Sequence, residues 1–327
     1  MNELKKCKKN YDKTNDDCKD LISVIIPTYN RKEFLSEAIS SVILQNYGNI
    51  EIIIVDDNST DQTDKLINEK YSKFTNIHYY RNTVNMGPGY NRLLGFKRSK
   101  GKYVVFLDDD DYYTDYNFFN SAMDIYKSNK NLAFVSANNF ILYEENKKLV
   151  ENKLNFNKMI SKKEYLTNFQ MDEYPKPQST FTTIFNRKVL NKMGISDVKM
   201  VNDTIIYLRA LLGGDAAFIE NIVGVYRVHK KNISKGCSSE FIIKNLDEKY
   251  EIYNLAKNRE EFKNLINENW LNEQIFLTID YYISESKVKI NDCIKIIKWI
   301  NKNIRYKKYE QIIKILKEFI IRYGKSA

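Results

Sequence analysis

Four consecutive aspartates, Asp108, Asp109, Asp110 and Asp111, are the residues whose type and spacing most clearly suggest chemistry. Carboxylates placed side by side repel one another, so such a run after an apolar segment favours a bound cation. The alternate carboxylates Asp108 and Asp110 suit a hard divalent ion, Mn²⁺ or Mg²⁺, which prefers oxygen ligands and keeps positions open for phosphate oxygens. The alternatives are a solvated acidic turn or a calcium loop, although the spaced glycine and distal glutamate of an EF-hand are missing.

A second pair of aspartates, Asp56 and Asp57, also follows an apolar run. At the end of a strand such carboxylates can accept hydrogen bonds from a base or a ribose. They can equally be turn residues, because the segment 58–61 (NSTD) is typical of a turn. Farther on, segment 85–89 supplies glycines for a close backbone approach, or for an ordinary turn. Arg92 follows one helical turn later and could hold a diphosphate with two hydrogen bonds.

The elements that must position these residues alternate between strand and helix. Apolar runs and helical periodicity predict strands at 22–27, 51–55, 77–81 and 102–107, with helices at 34–44, 61–71 and 89–99. Such alternation indicates a mostly parallel sheet with helices on both faces, in which polar groups at the carboxyl ends of strands share one crevice. Later elements are expected at 132–137, 181–185 and 203–212. The chain then becomes helical, at 241–255, 269–283 and 291–323.

This pattern divides the 327 residues into three parts. Residues 1–20 form a polar extension, residues 21–238 an α/β catalytic domain, and residues 239–327 a basic, amphipathic helical domain, with a boundary near 235–240. The net charge of +10 is concentrated at the end, where 12 lysines and arginines accompany 3 acidic residues from Lys287 onward. Such a surface favours anionic partners.

Several classes are disfavoured by what the sequence lacks. No apolar run of membrane-spanning length and no signal peptide occur, so we expect a cytoplasmic protein. The first strand is not followed by the GxGxxG pattern of a dinucleotide oxidoreductase. The basic tail has no nucleic-acid-binding motif, and no nucleic-acid partner is expected. The four scattered cysteines show no metal-site spacing and are expected to be free thiols.

Five motifs in a fixed order resemble the family 2 inverting glycosyltransferases of the GT-A fold. They are segments 24–30 (VIIPTYN), 55–61 (VDDNSTD), 85–87 (NMG), 101–103 (GKY) and 106–111 (FLDDDD). Weaker matches continue to about residue 235, and the helical tail lies outside the resemblance. The fold implied is a Rossmann-like mixed sheet with helices on both faces.

The resemblance also implies a nucleotide-sugar site. Its residues would be Pro27, Tyr29, Asp56, Asp57, Asn85, Gly87, Arg92, Asp108 and Asp109. Pro27, Tyr29 and Asp57 would line the nucleoside pocket with Asp56 supporting it, and Arg92 would face the diphosphate. In the family's DxD element, here residues 108–110, the last aspartate binds the metal and the first lies near the ribose or donor sugar.

The family's catalytic base is commonly the aspartate of a Glu-Asp pair before a helix. Here the matching position is Asp203, which the resemblance implies as the base; the glutamate is replaced by Asn202. Structurally, Asp203 could instead be the N-cap of its helix. The segment 226–229 resembles the part that closes the donor site, and His229 would complete the metal shell or touch the diphosphate.

The resemblance implies a metal-dependent inverting transferase. It would move a sugar from a nucleotide-sugar, most commonly a UDP-sugar, to a hydroxyl of a glycan or lipid-linked glycan in the synthesis of a surface polysaccharide or glycoconjugate. The alternative is a non-catalytic nucleotide-sugar- or glycan-binding protein on the same fold.

The tail carries apolar residues at helical spacing beside lysines, namely Ile294, Ile297, Ile300, Ile304, Ile312, Ile313, Leu316 and Ile320. It could pack within the chain, lie peripherally on the inner face of the membrane, or form a homo-oligomer interface.

Overall fold

The structure is a computed structural model that describes residues 20–156, 158–198, 201–229, 238–285 and 290–304, together with 310, 312–313 and 316–317. The chain forms two compact units, Met1–Val228 and His229–Ala327. This division falls before the predicted boundary at 235–240, of which residues 235–237 lie outside the described residues, as do residues 1–19 of the predicted extension.

The first unit contains a ten-stranded sheet. Its strands are β1 (Ile22–Thr28), β2 (Ile50–Asp56), β3 (Ile77–Arg81), β4 (Tyr103–Phe106), β5 (Tyr112–Tyr113), β6 (Leu132–Tyr143), β7 (Lys148–Asn152), β8 (Met159–Ile160), β9 (Thr183–Asn186) and β10 (Asp215–Val228). The described helices of this unit are α1 (Lys32–Ile43), α2 (Thr63–Lys70), α3 (Pro88–Arg98), α4 (Phe118–Ser128), α5 (Lys162–Thr167), α6 (Arg187–Lys192) and α7 (Asp203–Leu211).

The first half of the sheet is parallel, in the order β3-β2-β1-β4. The isoleucine-rich strands β1 and β2 are buried at every position, as expected for strands covered on both faces. Their register pairs Thr28 with Asp56, and β4 pairs with β1 up to Phe106. The residues that follow these strands therefore emerge along one edge of the sheet, where sequence reasoning expected the crevice.

The second half of the sheet is mixed. Strand β9 runs antiparallel between β4 and β6, and β6 then pairs in parallel with β10. The register of β10 shifts at bulges between Asp215 and Val225, after which β10 pairs with β5, the strand that immediately follows the aspartate run. The end of β10 is thereby brought beside that run. The predicted mixed, mostly parallel fold with added helices is confirmed.

The second unit is helical, with α8 (Ser239–Lys257), α9 (Glu268–Glu285) and α10 (Ile290–Asn303). Ser238 caps α8 by accepting a hydrogen bond from the amide of Phe241 at 3.3 Å. Among the described helices of the whole chain, none combines the length and apolarity needed to cross a bilayer.

The apolar residues predicted along the tail do not all face the interior. In α10 the buried residues are Cys293, Ile296, Trp299 and Ile300, whereas Ile294 is 44% exposed. The indole Nε1 of Trp299 donates to Asp247 of α8 at 2.7 Å, which fixes the rotation of the helix and turns Ile294 outward. Ile297 is half-buried, Ile304 is buried as expected, and Ile313 and Leu316 are exposed. Ile320 lies outside the described residues, as do Cys7, Cys18 and Cys237; Cys293 is a free thiol, as expected.

Candidate active site

The aspartate run after β4 folds into a compact acidic cluster. Each of Asp108, Asp110 and Asp111 places a carboxylate oxygen within 4.8 Å of an oxygen from the other two. Asp109, Asp110 and Asp111 are buried, and the side chain of Asp108 is 29% exposed. The two carboxylates that the sequence predicted as metal ligands are therefore close together. Asp111 joins them, which alternation along an extended chain could not predict because the run turns back on itself, with the amide of Asp111 donating to the carbonyl of Asp108 at 3.1 Å.

Two arginines hold this cluster. Arg31 Nη1 lies 3.0 Å from Asp109 Oδ1 and 2.7 Å from Asp110 Oδ2, and the hydroxyl of Thr28 donates to Asp109 at 2.7 Å. Arg92 Nη2 lies 2.5 Å from Asp108 Oδ1. Arg31 had no predicted role, and its only signal in the sequence is its position just after the first strand.

Burial and mutual repulsion raise the pKa of several of these carboxyl groups. Burial and the neighbouring Asp110 raise the pKa of Asp109 to about 7, against the opposing effect of Arg31. Burial also raises the pKa of Asp108, with Asp203 and Asp110 adding to the effect against Arg92. The pKa of Asp111 is raised well above its ordinary value by burial and by Asp110 and Asp108. A further cation among these groups would favour their ionised forms.

Asp203 is the first residue of α7, and it lies beside the acidic cluster. Its Oδ1 is 3.4 Å from Arg92 Nη2, the same nitrogen that contacts Asp108. The N-cap of α7 is Asn202, whose side-chain oxygen accepts from the amide of Ile205 at 2.9 Å. Because the asparagine performs the capping, the carboxylate of Asp203 remains turned toward Arg92.

The aspartate pair after β2 is organised differently. Asp57 accepts hydrogen bonds from the amides of Met86 and Gly87, at 2.7 and 2.8 Å, and from the side chain of Asn82 at 3.0 Å. Both of its oxygens thus hold the 82–87 loop. Asp56 is fully buried and accepts from the amide of Ser59 at 2.9 Å and from the hydroxyl of Tyr79 at 2.5 Å.

The remaining residues predicted on the nucleoside side surround this loop. Pro27 is buried within β1, while Tyr29 directly after that strand is 47% exposed. Asn85 is exposed, and Gly87 has φ +85°, a conformation that favours glycine. The nucleotide-binding role of these residues remains a prediction.

The end of β10 supports the cluster from its other side. The amide of Arg227 donates to Asp111 Oδ1 at 3.1 Å and its guanidinium to the carbonyl of Asp110 at 3.1 Å; it also pairs with Glu37. Ser179 donates to Asp111 Oδ2 at 3.2 Å. Arg227 belongs to the segment expected to close the donor site. His229 is the first residue of the second unit, and its role as a ligand stays a prediction.

Comparison with known proteins identifies the family and the fold. The family model described as "Glycosyl transferase family 2" matches residues 23–194, more than half of the chain. The structure of residues 1–349 of Staphylococcus aureus TarS with UDP-GlcNAc superposes with a TM-score of 0.67, covering 93% of this chain and 92% of that chain. Their sequences are 19% identical, so this likeness speaks for the fold.

Two relatives also match this chain in sequence. An uncharacterized glycosyltransferase of Haemophilus influenzae is 31% identical over 182 residues, which are 55% of this chain and 67% of that protein. The GalNAc(5)-diNAcBac-PP-undecaprenol beta-1,3-glucosyltransferase of Campylobacter jejuni is 28% identical over 216 residues, 64% of this chain and 66% of that protein. The chain thus spans about two thirds of the length of either relative. The chain belongs to glycosyl transferase family 2 and has the GT-A fold of its glycosyltransferases.

Proposed function

We propose that the protein is a metal-dependent, inverting glycosyltransferase that transfers a sugar from a UDP-sugar to a hydroxyl of a glycan acceptor. The observation that carries the proposal is the position of Arg92 between Asp108 and Asp203. This arginine joins the acidic cluster, where a diphosphate and a metal would bind, to a carboxylate able to accept a proton.

Asp108, Asp110 and Asp111 fit a divalent cation, because their carboxylate oxygens lie close together and because burial and neighbouring carboxylates raise the pKa values of Asp108 and Asp111. Mn²⁺ or Mg²⁺ suits such an all-oxygen set. When bound, the ion would stabilise the negative charge of the departing diphosphate. Contacts of the half-buried Arg31 and the buried Arg227 hold Asp109, Asp110 and Asp111 in place for this role.

Asp203 is the group proposed to take the proton from the acceptor hydroxyl as that oxygen attacks the anomeric carbon. Its side chain is 24% exposed, so an acceptor can reach it. Attack on the face opposite the leaving diphosphate inverts the anomeric configuration. Arg92 would exchange its contacts with the two carboxylates for contacts with the diphosphate, which an arginine can bind through two nitrogens.

The substrates are inferred from the relatives. The Campylobacter protein is named for a glycan on a diphospho-undecaprenol lipid, and TarS was solved with UDP-GlcNAc. We therefore place this protein in the synthesis of a surface polysaccharide or glycoconjugate, acting on a glycan or lipid-linked glycan. Such work would be done in the cytoplasm, at the inner face of the membrane when the acceptor is lipid-linked.

The test is a screen of UDP-, dTDP- and GDP-sugars with the full chain, in the presence of Mn²⁺ or of EDTA, measuring release of the nucleoside diphosphate. We expect metal-dependent release from a UDP-sugar, and a β-linked product from an α-linked donor when a suitable acceptor is added. Nucleotide binding without any release or transfer would contradict the proposal and favour a non-catalytic binding protein.

A further inference from the structure

The helix α10 carries apolar side chains on its outer surface as well as on its buried side. Ile290 is 60% exposed and Ile294 is 44% exposed. The side that packs inward consists of Cys293, Ile296, Trp299 and Ile300. The hydrogen bond from Trp299 to Asp247 of α8 fixes the rotation of the helix. The exposure of the two isoleucines therefore follows from the way in which α10 packs.

The two isoleucines are continued along the helix by two lysines. Lys298 and Lys302 follow at the same interval of four residues, and residues at this interval form a ridge along one side of a helix. The members of this ridge, called the α10 ridge below, are Ile290, Ile294, Lys298 and Lys302, and all four are exposed. Among the described residues, no carboxylate forms an ion pair with either lysine. Asp292, the acidic residue of α10, is half-buried and lies two positions from each isoleucine, so it points to another side of the helix.

The surroundings of the ridge are basic and partly apolar. Lys295 pairs with Glu240 of α8 at 2.8 Å, which offsets its charge. From Lys287 to the end, however, the chain has 12 lysines and arginines against 3 acidic residues. Ile313 and Leu316, which follow α10, are also exposed. The end of the chain thus combines exposed apolar side chains with a large excess of positive charge.

An anionic lipid surface matches both properties of the ridge. Isoleucine side chains leave water when they enter the boundary between headgroups and acyl chains, while lysines on the same helix reach the headgroup phosphates. A soluble polyanion would contact the lysines but would leave the isoleucines in water. A second copy docked by two-fold symmetry would bring the same lysines toward one another, at a cost in repulsion.

We propose that the α10 ridge lies on the surface of a membrane that contains anionic lipid and holds the protein there. The helix would lie along the surface, since none of the described helices has the length and apolarity to cross a bilayer. This inference goes beyond the proposed function, because it requires neither a sugar donor nor a metal. Vesicle binding can therefore be measured whether or not the chain transfers a sugar.

The test is sedimentation of the full chain with vesicles of phosphatidylcholine alone, and with vesicles of equal parts phosphatidylglycerol and phosphatidylcholine. We expect binding to the mixed vesicles that weakens as salt is added, because salt screens exposed charges. The double variant Ile290→Ser/Ile294→Ser removes the apolar half of the ridge, and Lys298→Gln/Lys302→Gln removes the charged half. Each should lower the partition coefficient about 10-fold or more.

A matched control lies in the first unit, on β7. Leu149 and Lys148 are an exposed apolar residue and an exposed lysine outside the helical tail, and Leu149→Ser/Lys148→Gln should bind the mixed vesicles like the wild type. All the substituted side chains are exposed, so melting temperatures should stay at the wild-type value.

Three outcomes would overturn the proposal. The first is no binding of the wild type to the mixed vesicles, or equal binding of the wild type and both ridge variants. The second is equal binding to both kinds of vesicle, which would mean that anionic lipid is not recognised. The third is a dimer, detected by light scattering, that Ile290→Ser/Ile294→Ser dissociates while no vesicles are bound. That result would assign the ridge to a second copy of the chain.

Discussion

The aspartates that follow β2 and those that follow β4 have the same side chain at the same edge of the sheet, yet their surroundings differ. Asp56 and Asp57 accept hydrogen bonds from amides and from neutral side chains, which satisfy them without a ligand. The β4 cluster instead crowds four carboxylates together, three of them paired with Arg31 or Arg92, and burial and mutual repulsion raise the pKa values of Asp108, Asp109 and Asp111. A carboxylate whose hydrogen bonds are already made holds a loop in place. A carboxylate crowded by other carboxylates can instead bind a cation or take part in a reaction.

The largest effect that this comparison predicts is at Asp203, which touches the crowded region through Arg92. Asp203→Asn should lower the rate of sugar transfer about 10²- to 10⁴-fold, because general-base catalysis is removed. UDP affinity should stay within about 3-fold, well under 1 kcal/mol. Transfer rates and UDP titrations measure both effects, with the exposed Asp197→Asn as the matched control. A fully active Asp203→Asn enzyme would require another base.

The second prediction concerns the satisfied pair. Asp57→Ala should lower the free energy of unfolding by about 2 kcal/mol, because the amides of Met86 and Gly87 and the side chain of Asn82 lose their acceptor. The exposed Asp124→Ala serves as the control, and urea unfolding measures the difference. An unchanged stability would mean that the 82–87 loop is held by other contacts and that Asp57 is free to serve a ligand.

The third prediction uses the pH dependence of the crowded cluster. The folded-state pKa of Asp109, about 7, lies above the ordinary value of 3.8, so the folded protein binds the extra proton between these values. The stability that this bound proton contributes is present at low pH and is lost as pH rises toward 7. The free energy of unfolding falls by at most about 1.4 kcal/mol per pH unit. Without metal, the unfolding free energy should fall over this window. The decline should be smaller in Asp109→Asn and in wild type with Mg²⁺; a decline of the same size in all three would contradict the account.

The smallest effect is expected at Tyr79, whose hydroxyl donates to Asp56. Tyr79→Phe should cost about 1 kcal/mol of unfolding free energy, the usual net value of one hydrogen bond, and should leave transfer unchanged. Thermal unfolding and a transfer assay suffice to measure this. A clear loss of transfer activity in Tyr79→Phe at a temperature where the variant is still folded would show that Asp56 acts on the donor directly.

Sequence reasoning predicted the elements that carry the site, because local patterns encode them. The strand 77–81 was predicted with the bounds that the structure shows, and α7 was placed within one residue. Contacts between segments far apart in the sequence were harder to predict. Nothing in the sequence indicated that Arg31 would reach Asp109, because this contact depends on how the loops fold over the sheet.

The helical tail shows the same limit in another form. Its periodicity predicted a helix with Ile294 on the apolar stripe, but could not tell which apolar residues are buried: the structure buries Cys293 and Ile296 and leaves Ile294 exposed. Two overlapping apolar stripes run along this helix, and the bond from Trp299 to Asp247 decides between them. The sequence pattern alone does not show which of the two stripes is buried.

The central claim is that the crowded cluster binds a metal together with a nucleotide. The most direct measurement is calorimetric titration of UDP into the full chain with and without Mn²⁺, for wild type and for Asp110→Ala. The account predicts binding that is at least about 10-fold tighter with Mn²⁺ in the wild type, a difference of about 1.4 kcal/mol, and no such metal effect in the variant. Equal affinity for UDP with and without Mn²⁺, or an unchanged metal effect in Asp110→Ala, would contradict it.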